Sequence, residues 1–306
     1  MKPLALSTMY AQQDRFTDGA DFARYAAEAG YEAIEISHST PESKFSQIIE
    51  AAVLPIISVH QPAPAALHSD GRANGKLNLA SSDPDEREAA VHFARQSIEW
   101  AARVGATRVV VHLGQVTEQD GQFEEELQMR RMFDAGQADT DGYSALRNEA
   151  ILRRRIACEP HLDAARTSLL QLVETARPRG VTVGLENRYH YHEIPQPGEY
   201  EYLLEGLDNS EAGYWHDVGH AEVLHRLGFI DRLAWLTPLG DRCVGAHLHD
   251  VKGIGDHRSP GDGDVNWDYI VKGVRHLDWF TLEINQYQSD ERVFGAREFL
   301  AKLALG

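Results

Sequence analysis

Eight short apolar runs recur along the chain, at 4–7, 31–37, 54–60, 107–112, 181–186, 214–217, 244–249 and 280–284, with polar or helically spaced stretches between them. That alternation constrains the fold more than any other feature. In 18–29, Phe22, Tyr25, Ala26 and Ala29 keep a helical period that Gly30 closes, and Asp83-Pro84 opens a long helix ending at Gly105. Further helices are expected at 45–52, 198–207, 220–227 and 290–303. Val109-Val110-Val111 is apolar on both faces, as a buried parallel strand requires. No break in composition divides the 306 residues, so the reading is α/β, a single (β/α)8 barrel domain over 1–306. The competing open, doubly wound sheet expects a glycine-rich turn after its first strand, where this chain has Ser7-Thr8-Met9-Tyr10. Between the fourth and fifth strands, 115–176 exceeds what one crossover needs and predicts an inserted helical excursion. Its first part, 115–150, either covers the barrel mouth or builds an interface between copies.

Most of the apolar runs stop on, or contain, a histidine or a carboxylate. In such a barrel all strand ends meet on one rim, which brings His60, His112, Glu186, Asp217, His247 and Glu283 together. Asp217 leaves the sheet at a strand end and His220 stands one helical turn further on, pointing back over the same edge. Imidazoles and carboxylates crowded into a closed mouth repel one another unless a cation neutralises them. The mixed nitrogen and oxygen donors suit Zn2+, Mn2+, Co2+ or Mg2+. The plainer alternatives are carboxylates bridged to barrel arginines and rim histidines that only bind a substrate hydroxyl.

The net charge of −17 opposes loose binding to a polyanion such as DNA or to an anionic membrane. No apolar stretch reaches the length of a membrane span and the N-terminus lacks a signal-peptide core, so a cytoplasmic location is expected. Cys158 and Cys243 read as reduced thiols. The runs Glu124-Glu125-Glu126 and Arg153-Arg154-Arg155 read as solvated helix faces. In Tyr189-His190-Tyr191-His192-Glu193, His192 is expected to face solvent, while His190 is either a solvent-facing loop residue or part of a lid. The segment 252–267 reads as a long glycine-rich loop.

The ordered set Val59-His60-Gln61-Pro62, Val110-Val111-His112-Leu113-Gly114, Gly184-Leu185-Glu186-Asn187, Asp217-x-x-His220, His247-x-x-Asp250, Pro260-Gly261-x-Gly263 and Leu282-Glu283 resembles the xylose isomerase-like TIM barrel superfamily over residues 4–300. That superfamily includes sugar phosphate isomerases and epimerases and the endonuclease IV group. The resemblance implies a divalent metal held by Glu186, Asp217, His247 and Glu283. His247 matches because the family ligand lies three residues before an acidic residue, here Asp250, although His249 points the same way along the strand. His220 then resembles a substrate-oxygen contact in the epimerases and a further ligand in the endonucleases. Where epimerases carry an arginine after the seventh strand, this chain has Lys252 and Arg258 at different spacing.

Endonuclease IV binds three zinc ions, which brings in His60 and His112 and an Asp-x-His pair. Here Asp256-His257 are adjacent instead. The implied activity is isomerisation or epimerisation of a sugar or sugar-like keto or polyol substrate, with Glu186 and Glu283 as acid and base and a homo-oligomer as a possible assembly. Trp215, Tyr189 and Trp267 are expected to pack on the sugar. The alternatives are phosphodiester cleavage at abasic DNA, a lyase or dehydratase acting on a keto sugar, and a barrel that binds sugar without turning it over.

Overall fold

The computed structural model describes residues 2–118 and 121–305; Met1 and Gly306, the ends of the expected domain, and Gln119 and Asp120 of the excursion lie outside the described residues. Eight parallel strands close a barrel: β1 Leu4–Ser7, β2 Ala33–Ile36, β3 Ile56–His60, β4 Arg108–Val111, β5 Thr182–Glu186, β6 Ala212–Asp217, β7 Cys243–Leu248 and, after an intervening hairpin (β8 Asp250–Lys252, β9 Gly255–Arg258), β10 Phe280–Leu282. The sheet runs in chain order from β1 to β7, and β10 closes it between β7 and β1. Every barrel strand lies on one of the eight expected runs: β1 matches it, β6 extends it, β7 is shifted by one residue, and the others are trimmed by one to three.

Register aligns the functional ends. Glu186 pairs with Trp215 and Asp217 with His247, and His247 pairs with Thr281, two residues before Glu283. The barrel interior closes around Trp215, which is fully buried. A Cβ on Gly184 would stand 2.7 Å from the Trp215 ring and one on Gly245 would overlap it, so the neighbouring strands carry glycine where the indole crosses them. The expectation that Trp215 touches a substrate is therefore corrected: it is core, packed against His247 and Trp279. Trp267 is likewise buried, and its indole N–H donates to Asp250 Oδ2 at 3.2 Å.

Two helices begin at aspartate caps. Asp18 accepts from Ala20 N at the start of α1 (Gly19–Glu28), and α2 covers Glu42–Ala51. Asp83 accepts from Asp85 N, with Pro84 in the first turn of α3 (Pro84–Val104), and Gly105 ends that helix at φ 77°. The excursion is two helices, α4 (Glu124–Asp134) and the 36-residue α5 (Asp141–Ala176).

The expected helix at 198–207 shrinks to a 3-10 turn and α6 (Tyr200–Leu203), whereas α7 (Val218–Arg226) and α10 (Asp290–Lys302) match their patterns. Two short helices, α8 (Leu233–Leu239) and α9 (Trp267–Val274), were not legible. The segment 252–267 contains part of the antiparallel β8–β9 hairpin rather than loop throughout.

The two charged runs are corrected as well: Glu126 and Arg154 are buried, each turned inward to an ion pair, and His192 is buried rather than solvent-facing. Cys158 and Cys243 are unpaired. Among the described residues no helix is long and apolar enough to cross a membrane.

Candidate metal centre

Glu186 ends β5, Asp217 ends β6, His247 lies in β7 and Glu283 follows β10; one ligand atom from each falls within 4.8 Å of all the others, and all four residues are buried. His247 Nδ1 is the hub, 2.6 Å from Glu186 Oε1, 3.1 Å from Glu283 Oε2 and 3.6 Å from Asp217 Oδ2. Its other nitrogen, Nε2, lies 2.9 Å from Glu35 Oε1 in β2, and the hydroxyls of Ser58 (2.6 Å) and Thr281 (3.3 Å) donate to Glu35 Oε2. With Nε2–H donated to Glu35, the Nδ1 lone pair faces three carboxylates. That is the donor set and the outer bracing of a divalent cation site, so the residues fit the ion.

The field at the hub is that of clustered carboxylates, and without a cation it is a proton on His247 that offsets them. Burial opposes a charged imidazole at His247, yet the charges of Glu283, Glu35 and Glu186 overcome it and push its pKa well above the ordinary range. Burial likewise opposes ionisation of Glu186 and Asp217. His247 and His112 hold Glu186, and His220 and His249 hold Asp217, well below the usual carboxylate range.

Two further groups flank the hub. His60 Nε2 and His112 Nε2 lie 3.5 and 2.6 Å from Glu186 Oε2, and the buried His112 Nε2 makes no well-formed hydrogen bond. On the other side, His220 Nε2 and His257 Nε2 lie 3.8 and 3.5 Å from Asp256 Oδ2. Each of these two sets also brings its ligand atoms within 4.8 Å of one another. A carbonyl cannot donate, so the bonds from Nδ1 of His60 to Gln61 O, of His220 to Asn187 O and of His257 to Glu283 O fix the proton on Nδ1. With Nδ1 protonated in this way, it is Nε2 of each ring that points into its group. The adjacency of Asp256 and His257 does not keep them from converging with His220.

His247 and His249 differ in their hydrogen bonding. His249 Nδ1 accepts from His257 N at 2.9 Å, so its Nε2–H donates to the Asp217 carboxylate at 2.9 and 3.0 Å and braces that ligand from behind. Gly219, inside the Asp-x-x-His motif, makes the room, because a Cβ there would collide with the His249 ring. Asp217 also caps α7 by accepting from His220 N at 2.7 Å, which is how the motif places both side chains.

Lys252 is exposed on β8, and Arg258 on β9 pairs with Asp262 at 2.6 Å; neither lines the cavity above the ligands. That cavity, about 380 Å³, is walled by Arg188, Tyr189, His190, His220 and Glu283 among others. Arg188 was missed in the sequence, although it stands two residues past Glu186. Its guanidinium lies 3.0 Å from Glu186 Oε2 and 2.8 Å from Glu193 Oε1. His38 also lines the cavity, and burial pushes its pKa down to about 4.

Residues 23–303 match the family described as Xylose isomerase-like TIM barrel. Two relatives share 23% identity: the uncharacterized protein MJ1311 of Methanocaldococcus jannaschii over 207 residues (66% of this chain, 58% of that protein) and y4fM of Sinorhizobium fredii over 259 residues (84% and 67%). The match thus spans less than two thirds of the first of these.

Similar solved structures include a D-tagatose 3-epimerase-like protein (20% identity, TM-score 0.66, 99% and 97% of the two chains) and a putative xylose isomerase from Rhodospirillum rubrum (14%, 0.68, all of both chains). The 3-keto-D-glucoside 4-epimerase YcjR from E. coli is also similar (15%, 0.66, 99% of each). At these identities the structures establish a shared fold, and the profile match over nearly the whole length places the chain in the xylose isomerase-like TIM barrel family.

Proposed function

We propose that the protein is a divalent-metal-dependent isomerase or epimerase of a sugar or sugar-like keto or polyol substrate. The observation that carries this reading is His247 Nδ1 ringed by carboxylate oxygens of Glu186, Asp217 and Glu283 while Nε2 is bound to Glu35. These four residues would hold the cation, which when bound stabilises negative charge as it develops on a substrate oxygen. The solved epimerases of the same fold add support.

Proton transfer next to a carbonyl needs a base at the reacting carbon. Glu283 lines the cavity and is the candidate base. Glu186, from the strand across the cluster, is the candidate for the opposite face; His247 and His112 hold it ionised, and Arg188 donates to its Oε2 at 3.0 Å. His220, also in the cavity wall, would hold a substrate hydroxyl, and Tyr189 would cover the sugar's apolar edge.

The test is solvent deuterium exchange into keto sugars, sugar acids and cyclitols by wild-type protein and Glu283→Gln. Loss of exchange with ligand binding retained is expected; undiminished exchange removes Glu283 from the mechanism. A barrel that binds without turnover would exchange in neither form.

A second reading, phosphodiester cleavage, is favoured by the two flanking groups, His60–His112–Glu186 and His220–Asp256–His257, which together with the hub offer three adjoining cation positions. The charge of −17 weighs against a DNA substrate. Metal analysis and an abasic-duplex incision assay on one preparation separate the two: one cation per chain with exchange supports the isomerase, and three with incision supports the hydrolase.

A further inference from the structure

Two cavities meet at the barrel mouth. The first, of about 380 Å³, lies over the candidate ligands; the second, of about 560 Å³, shares with it the wall formed by His38, His112, Arg188, His190 and Glu193. They are two arms of one cleft. The chemistry proposed above uses only the first, since Glu283, His220 and Asp256 line that arm alone.

The second arm is built, not a gap beside a loose loop. Its far wall comes from the long connection after β3, and two buried asparagines pin that connection. Asn74 Nδ2 donates to Pro62 O (2.8 Å) and Pro64 O (3.0 Å), while its Oδ1 accepts from Ala66 N. Asn78 Nδ2 donates to Gln115 O (3.1 Å) and Thr117 O (3.0 Å), while its Oδ1 accepts from Ala80 N and Gln115 N. Every polar group of both side chains is engaged, so the arm is preformed.

Its lining is chemically distinct from the first arm. Pro62, Ala65, Ala73 and Leu77 offer small apolar faces, and between them stand the amides of Gln61, Gln115 and Gln122. Gln61 Oε1 accepts from the His112 amide at 3.3 Å, which turns its NH2 group to other partners, and the Gln122 amide meets His190 Nε2 at 3.5 Å. Arg188 and Glu193 neutralise one another, and Lys76 completes the charged lining among the described residues. A phosphate calls for several convergent cationic donors, whereas amides set between apolar faces suit a neutral ring bearing hydroxyls.

We propose that the second arm is a subsite for a second hydroxyl-bearing unit, so that the substrate is a glycoside or other two-ring sugar whose reacting ring occupies the first arm. This rests on the reading of the first arm as the seat of sugar chemistry.

Gly75 supplies the test. It lines the second arm, is no part of the proposed catalytic machinery, and a Cβ there would meet only Pro62 Cγ at 3.9 Å, an ordinary contact. Gly75→Phe should therefore fill the arm without straining the backbone. Gln122→Ala, at an exposed position, removes a polar contact with no demand on the fold.

Dissociation constants are measured by calorimetry for a ketohexose, its glucosyl derivatives substituted at different hydroxyls, and its phosphates. At least one glucosyl derivative should bind the wild type about tenfold more tightly than the parent. Gly75→Phe should abolish that gain and leave the parent's affinity unchanged, and Gln122→Ala should lose part of it.

The proposal is overturned if no glucosyl derivative outbinds the parent, if the gain survives Gly75→Phe, or if a phosphate instead gives the Gly75-sensitive gain. Deuterium exchange in the same samples reports separately on the isomerase reading. A glucosyl gain without exchange keeps the subsite and removes that reading; exchange without the gain does the reverse.

Discussion

Glu35 sets which nitrogen of His247 is free, and it does so from the second strand, 212 positions away in sequence. Replacing it by Gln keeps an acceptor for Nε2–H but removes the charge that makes the imidazole a stronger donor. Cation affinity measured by Mn2+ titration should fall about 10- to 100-fold, the usual effect of losing such a partner; an unchanged affinity would mean that His247 does not bind through Nδ1. Gly219→Ala should weaken binding as well, because the added methyl displaces His249 from Asp217.

The resemblance in the sequence already implied Glu186, Asp217, His247 and Glu283 as one set, since each sits at or near a strand end. The second apolar run contains Glu35, but its role is not legible there: its partner comes from across the closed barrel, and no local pattern carries that. Lys252 and Arg258 failed as cavity residues for the converse reason. The β8–β9 hairpin directs Arg258 toward Asp262 and leaves Lys252 in water.

At the scale of elements, the excursion is fastened to the loop that leaves the metal centre. Glu126 of α4 accepts from His190 Nδ1 (2.9 Å), Tyr191 N (2.9 Å) and Arg130 Nε (3.0 Å), and Arg130 reaches on to Tyr189 O (2.9 Å) with its guanidinium 4.1 Å from the Tyr189 ring centre. From α5, Arg154 bonds Glu193 O at 2.9 Å and Glu199 Oε2 at 3.0 Å. α4 thus braces the mouth loop. The burial of Glu126 and Arg154 was illegible because His190 and Glu199, the partners that draw them inward, lie 64 and 45 residues downstream, while the i,i+4 pairing of Glu126 with Arg130 suits a solvated helix face equally well.

Truncating Glu126 to Ala leaves Arg130, His190 and the Tyr191 N–H without their buried acceptor and should cost about 3–5 kcal/mol in urea unfolding. Burial opposes ionisation of Glu126, but His190, His192 and Arg130 hold its pKa below the ordinary 4.5. A carboxylate lowered in the folded state adds stability that is complete above 4.5 and is lost as pH falls below it. Wild type should thus lose more stability than Glu126→Gln between pH 5 and the acid limit; parallel acid profiles would show that the carboxylate's charge is not what fastens the loop.

For the molecule as a whole, the candidate cation site and the closure of the barrel are one problem. Glu35, Glu186, Asp217 and Glu283 come from β2, β5, β6 and the end of β10, on several sides of the barrel, and all are buried around a single imidazole with Arg188 alongside. Folding the chain without a cation therefore concentrates negative charge in its least solvated region, where repulsion is least screened. A cation that binds only the assembled ligands stabilises the folded state by about 2.7 kcal/mol at 100 times its Kd. For a chain of this size that corresponds to a rise in Tm of roughly 4 °C.

Scanning calorimetry of chelator-treated protein, with and without Mn2+ or Zn2+, should show that rise, and chelator should reverse it. Glu283→Gln should shrink it, and His247→Ala should abolish it. A Tm indifferent to every divalent ion tried would leave the cluster as a set of buried ion pairs, with His247 protonated among its carboxylates, and the cation-assisted chemistry would lose its seat.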